Sequence, residues 1–222
     1  MRDRFKAVSE TAVPFLGKVT ASLCHEMRNV LATIHENAGL LEDLVAFAER
    51  GRPLDLQRVR DLAGKVGGQV RRGGEITDRM SLLAHSGDEP VAQVDVGKIL
   101  KLVISLEERI ATMRGVTLRA VKVDDPVVIR MDPFVLETLI WLCIECGLSS
   151  EPPEKALTMT VERNGNHACI RFQGVCTIQD RIKEGSLLQT LSACAEKAGA
   201  DLAYDETACE IVLSLPLDED HP

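Results

Sequence analysis

Four polar residues with chemistry to offer fall within five consecutive positions: His25, Glu26, Arg28 and Asn29. An imidazole is a competent nucleophile near neutral pH. A carboxylate at the next position, and a guanidinium and an amide within one helical turn, are suitable groups to hold it and to meet an anionic partner. The pattern is not the zinc-protease one, because Asn29 stands where the second histidine of H-E-x-x-H belongs. His35, His85, His167 and His221 have no such neighbours and read as structural or surface residues.

Two apolar series carry this cluster. Val13, Thr20, Met27, Ile34, Leu41 and Ala48 recur every seven residues, and Leu16, Leu23, Val30, Asn37 and Leu44 follow each by three. A heptad seam of that length predicts one long helix, from about Thr11 to Arg50, packed on other helices. His25 falls between Leu23 and Met27, away from the centre of the seam, so its ring is expected in solvent. Gly51-Arg52-Pro53 ends the helix. A second helix from about Asp55 carries Leu56, Val59, Ala63, Val66, Val70, Thr77, Met80 and Ala84, with Leu62, Ile76 and Leu83 widening the stripe. The two make an antiparallel hairpin with His25 about level with Thr77 and Asp78. A lone hairpin cannot bury both stripes, so two copies are expected to pair as a four-helix bundle in a homodimer. Gly64, Gly67, Gly68, Gly73 and Gly74 within the second helix imply either close backbone approach or local mobility.

The whole chain has 222 residues, 45% of them hydrophobic, and a net charge of -8. That is enough to bury a core in one or two domains. The basic residues are dispersed among acidic ones, which argues against nucleic-acid binding. With no long apolar run and no apolar leader, the reading is a cytoplasmic protein without a membrane segment. Cys143 and Cys146 form a C-x-x-C inside an apolar helical run. With no second Cys or His pair beside them, they read as buried thiols rather than a metal or redox site.

After a linker at 88–95 the pattern changes. Val94 to Arg114 reads as a helix, 116–123 and 126–131 as strands turning at Asp124-Asp125, and Asp132-Pro133 as the cap and first turn of an apolar helix. Two strands flank Asn164-Gly165 as a hairpin, and a helix near Leu187 to Ala198 precedes two final strands. The expected fold class is α+β. Residues 1–87 form the helical hairpin, 96–216 a two-layer α/β domain with helices on one face of a mixed sheet, and 217–222 a polar tail.

SLCHEMRNVLATI resembles the H-box of the dimerisation and phosphotransfer domain of sensor histidine kinases, whose usual form is near S-x-H-E-x-R-N-P-L. Val30 replaces the proline, which leaves the helix unkinked there. VRRGGEITDRMSLLAHSGD resembles the second helix of that domain. In order of elements the remainder resembles the ATPase domain that follows it, with RMDPFVLETLIWLCIECGL in the place of the N-box. The resemblance also defines what is missing. Trp141 and Glu145 stand at the N-box asparagines, though Glu145 retains a metal-binding group. Gln173 and Gly174 open the stretch where D-x-G-x-G belongs. Only about ten residues remain where an ATP lid would lie. These are vestigial nucleotide-site positions, and the chain is expected to use no ATP.

The resemblance therefore implies a histidine phosphotransferase of a two-component phosphorelay. His25 would take a phosphoryl group from the aspartate of a response-regulator receiver domain and pass it on. Glu26 would orient the ring or accept its proton, Arg28 would balance phosphoryl charge, and Asn29 would position a water for dephosphorylation. The magnesium would belong to the receiver. A divergent ATP-dependent kinase and a pseudokinase scaffold are the alternatives.

Overall fold

The computed structural model describes residues 2–89, 91–121, 125–150, 152, 154–176 and 187–217, with side chains from residue 12 onward. The expected Asp124 turn, the short lid-position segment at 177–186, and the polar tail beyond Leu217 with His221 lie outside the described residues. The chain divides into two compact units, one of residues 20–82 and one of residues 1–19 with 83–222.

Helix α1 runs from Arg2 to Glu49, so it starts well before Thr11. Gly51, at φ 84°, ends it in the left-handed conformation that glycine adopts without strain. Helix α2 spans Leu56–His85, and Asp55 Oδ1 accepts from the Arg58 N–H at its start. Within the unit of residues 20–82 the core is Leu23, Val30, Leu62 and Ile76, with Asn37 buried beside them. Among the glycines of α2, Gly73 is the one at which an added Cβ would meet α1. A Cβ there would lie 3.5 Å from Val30 Cγ1, whereas one at Gly64 or Gly74 would meet nothing within 4 Å. Close approach therefore accounts for one of the helical glycines.

The two stripes differ from expectation in one respect. On α2 the widening residues Leu62 and Ile76 are buried, while Leu56, Val70 and Met80 are exposed. On α1 the seam holds at Leu23, Val30 and Asn37 but fails before residue 20. Val13 is 68% and Leu16 37% exposed, and Ala12, Phe15 and Val19 are buried instead. The reason is a change of partner. Residues 12–19 belong with the C-terminal unit, and Phe15 packs against Trp141 and Phe134, with ring centroids 5.2 and 6.3 Å away.

The C-terminal unit holds β1 (Ala92–Asp95), α3 (Val96–Met113), β2 (Thr117–Ala120), β3 (Val128–Met131), α4 (Pro133–Ser149), β4 (Ala156–Asn164), β5 (His167–Gln173), α5 (Leu187–Ala198), β6 (Asp201–Asp205) and β7 (Glu210–Pro216). Five strands form a mixed sheet in the order β2-β4-β5-β7-β6, in which only β2 and β4 run parallel. The register places Met159, Phe172 and Ile211 in one row and Val161, Ile170 and Leu213 in the next. All six are buried. Thr160, Arg171 and Val212, on the opposite face, are partly exposed. A sheet with one covered and one wetted face gives this alternation.

Residues 116–131 depart from the expected pair of adjacent strands. β3 leaves the main sheet and pairs antiparallel with β1, from Ala92 opposite Met131 to Asp95 opposite Val128. The presumed linker is thus in part a strand. β1 is short and its partner lies far along the chain, so no local turn signal marks it. α4 begins where the Asp132-Pro133 pair predicts. Asp132 Oδ1 accepts from the Phe134 and Val135 N–H groups, and every residue from Leu136 to Leu148 is buried. Glycine is required at 147, because a Cβ there would meet Leu157 Cδ1 at 2.6 Å.

Cys143 and Cys146 are buried thiols, as expected. Burial drives both away from ionisation, Cys146 up to about 12 and Cys143 also well above the usual thiol range. Cys176 and Cys209, a pair with no signature in sequence, form a disulfide across a separation of 33 residues.

Candidate functional site

The His25 cluster belongs wholly to the helical hairpin. α1 has 48 residues, and at about 1.5 Å per residue it provides a rigid support. His25, Arg28 and Asn29 are exposed on it, and Leu23 and Val30 turn inward. Residues four apart on a helix stack on one face. The Asn29 amide nitrogen accordingly lies 3.2 Å from His25 Nδ1, which leaves Nε2 directed away from that contact. Thr33 Oγ1 donates to the Asn29 carbonyl oxygen at 2.9 Å and steadies the same turn.

Glu26 takes a different course from its neighbours. Its side chain leaves the solvent-facing side of α1 and is only 7% exposed. Its carboxylate is 3.4 Å from Arg79 Nη2 and 3.9 Å from Arg72 Nη2, both on α2. A buried carboxylate needs compensating charge, and these two arginines supply it. The cluster thus separates into an exposed set, His25 with Arg28 and Asn29, and an interhelical ion group centred on Glu26. The predicted level of His25 beside Thr77 and Asp78 agrees with this, since Arg72 and Arg79 bracket those positions.

Sequence reading did not single out Arg72 or Arg79. They lie seven apart, with Arg79 one position beyond Asp78, so the helical register was the signal that pointed to them.

The second set of named residues lies in the C-terminal unit. Trp141 and Glu145 are four apart on α4 and share a face, and that face is covered by α1 residues of the same unit. The Phe15 ring packs on the Trp141 indole. Lys18 Nζ lies 5.2 Å from the indole centroid and 3.0 Å from Glu145 Oε2, and Arg114 Nη2 lies 3.5 Å from the same oxygen. Beneath them Glu107 of α3 is fully buried, and neither carboxyl oxygen has a hydrogen-bond partner among the described residues. Burial first and the neighbouring Glu145 second raise its pKa to about 7 in all, against the opposing effects of Lys18, Arg114 and the Trp141 indole. Glu137, on the same α4, accepts from Ser86 Oγ at 2.9 Å and is likewise pushed up to about 7, chiefly by burial.

Gln173 and Gly174 are placed apart from this face, at the end of β5. Gln173 is exposed. Gly174 has φ 97°, and a Cβ there would lie 2.6 Å from the Ala156 carbonyl oxygen. Its N–H donates to the Cys209 carbonyl, next to the disulfide. Of the four positions named from the resemblance, then, the fold brings Trp141 and Glu145 together and gives Gly174 a turn-forming role. The signal missed in sequence was the stripe Ala12, Phe15, Val19, spaced three and four and offset from the heptad seam.

No helix among the described residues is long and apolar enough to cross a membrane, and none of their His, Cys, Asp and Glu side chains form a group of three suited to a metal ion. No protein-family model matches the chain, and no curated protein matches it. Among solved structures, the Acinetobacter baumannii histidine kinase AdeS is similar over 83% of this chain and 96% of its own, at 12% identity and a TM-score of 0.45. The nucleotide-free catalytic domain of histidine kinase ThkA is similar over 58% of this chain and 97% of its own, at 9% identity and 0.47. The cytoplasmic segment of histidine kinase QseC is similar over 66% and 95%, at 15% identity and 0.42. These are resemblances of fold, and the chain itself is an α+β protein with a helical hairpin ahead of a two-layer α/β domain.

Proposed function

We propose that this chain is a histidine phosphotransferase of a two-component phosphorelay, exchanging phosphoryl groups between His25 and the aspartate of response-regulator receiver domains without using ATP. The observation that carries the reading is the exposure of His25, with Arg28 and Asn29 beside it, on a long rigid helix. The imidazole attacks the phosphorus of an aspartyl phosphate in line, the P–O bond to the aspartate breaks, and the phosphoryl group passes to nitrogen. Arg28 meets the phosphoryl oxygens. The magnesium belongs to the receiver.

ATP has no place in this scheme because the residues on α4 do not fit a magnesium nucleotide. The Glu145 carboxylate is already neutralised by Lys18 and Arg114, an indole has no lone pair to offer a metal, and Phe15 covers the face. The exposed apolar residues Leu31, Val70 and Met80, which a second copy would cover in a four-helix bundle, support the homodimer in this reading.

The test mixes wild type and His25→Ala with radiolabelled magnesium ATP and, separately, with phosphorylated receiver domains. Label reaching wild type from a receiver only, and never reaching His25→Ala, is the expected result. Label from ATP would make the chain a kinase, and label from neither source would leave it a binding scaffold.

A further inference from the structure

The Glu26 carboxylate is directed to arginines of α2, and among the described residues the polar side-chain contact of the His25 ring is the carboxamide of Asn29. A carboxamide is unlike a carboxylate in offering a donor on one side and an acceptor on the other, and a half-turn about its last bond exchanges them. In the structure the donor side faces Nδ1 at 3.2 Å. An amide N–H directed at Nδ1 needs the Nδ1 lone pair as its acceptor, which in the neutral ring leaves the hydrogen on Nε2.

We propose that Asn29, and not Glu26, is the positioning residue that selects the tautomer of His25 and confines phosphorylation to Nε2. With the amide N–H on Nδ1 the ring rests with its hydrogen on Nε2, outward and not nucleophilic. When the carboxamide turns and surrounding water takes the Nε2 hydrogen and returns one to Nδ1, Oδ1 accepts from the Nδ1–H, and the Nε2 lone pair faces an incoming phosphoryl donor. The N–P bond then forms at Nε2 as the donor's bond to phosphorus breaks, and the Nδ1 hydrogen stays in place, held by Oδ1. Both ring states thus find a partner in one side chain, and Nδ1 is covered in each. The stacking of His25 and Asn29 across one turn and the Thr33 contact that fixes that turn make the arrangement local to α1.

This inference rests on the phosphotransfer reading, but its test needs no receiver. Full-length protein labelled with ¹⁵N at histidine reports the tautomer of His25 from its ring nitrogen shifts. In wild type the hydrogen is expected on Nε2, and in Asn29→Asp, which can only accept, on Nδ1. In Asn29→Ala the tautomer ratio should move by roughly 2- to 10-fold, the worth of one net hydrogen bond. Phosphoramidate then serves as the phosphoryl donor, its P–N bond breaking with release of ammonia, and ³¹P spectra identify the product. Wild type and Asn29→Asp should carry phosphate on Nε2 alone, whereas Asn29→Ala should also yield the Nδ1 isomer.

Glu26→Gln is expected to change neither readout, which separates a tautomer effect from a general disturbance of the hairpin. The same tautomer in wild type, Asn29→Ala and Asn29→Asp would overturn the proposal, as would a shift caused by Glu26→Gln. A wild type inert to phosphoramidate would count against His25 as a phosphoryl acceptor and leave the ¹⁵N shifts to decide the role of Asn29.

Discussion

α1 presents charge in two settings that are physically opposite. Around His25 the ionisable side chains stand at the water surface, and only Glu26 is drawn inward, to two arginines. Around Lys18 they stand at the rim of an apolar core, over Trp141, Phe15 and a carboxyl group with no solvent contact at all. In the first setting water solvates each charge, so a change of charge there is absorbed locally and leaves the fold intact. In the second, every charge must be matched by a neighbour, so the same residue types become fixed structural parts. One continuous helix therefore carries a surface suited to reaction and a surface suited to permanence.

The contrast is broken most severely at the buried end. Phe15 is fully buried against two aromatic rings. Phe15→Ala should destabilise the protein by about 3–5 kcal/mol in denaturant titration, the usual range for emptying such a site. A loss below about 1 kcal/mol would mean that residues 12–19 do not pack on α4.

Next comes the buried carboxyl pair. Glu107 and Glu137 each have a folded pKa of about 7 against an ordinary 4.5, so the folded state holds these protons more tightly than the unfolded one. The stabilisation is complete below about pH 4.5 and is lost as the pH rises through about 7, with each shift worth about 3 kcal/mol. Glu107→Gln, which cannot ionise, should be more stable than wild type by about that amount near pH 8 and equal to it near pH 4. A variant whose stability follows the wild-type pH curve throughout would show that Glu107 ionises freely where it sits.

The interhelical ion group is expected to matter less. Arg79 is the better-buried partner of Glu26, and Arg79→Ala should cost about 1–2 kcal/mol by leaving the carboxylate with the more exposed Arg72 alone. Arg72→Ala should cost under about 0.5 kcal/mol. Equal losses at the two sites would put the charge compensation elsewhere. Smallest of all in stability is His25→Ala. It should shift the unfolding midpoint by no more than about 0.5 kcal/mol, the range of exposed positions, while abolishing phosphoryl transfer. If it unfolds the hairpin, His25 is a packing residue and the contrast between the two settings fails.

Local signals in the sequence were read correctly. The Gly51-Arg52-Pro53 stop, the Asp132-Pro133 start and the Asn164-Gly165 turn each depend on a few adjacent residues, and each lies at an observed boundary. The exposure of His25 followed from its place on the seam. Features that depend on distant partners were not legible. The β1–β3 pairing joins segments on either side of α3, and the burial of Glu107 requires the packing of α3, α4 and α1 together. Val13 and Leu16 were misassigned for the same reason. A heptad pattern shows that a helix has a buried side and does not reveal that its partner changes at residue 20.

The outer strands of the five-stranded sheet have a consequence for how the protein behaves in concentrated solution. β2 and β6 are four and five residues long, and β6 begins and ends on aspartate, at Asp201 and Asp205, while β2 carries Arg119. A short rim bearing charge is a poor template for another chain to add a strand to, and the net charge of -8 repels further copies at long range. Self-association through the sheet is thereby discouraged, and the proposed homodimer would have to form through exposed apolar residues of the hairpin such as Leu31, Val70 and Met80.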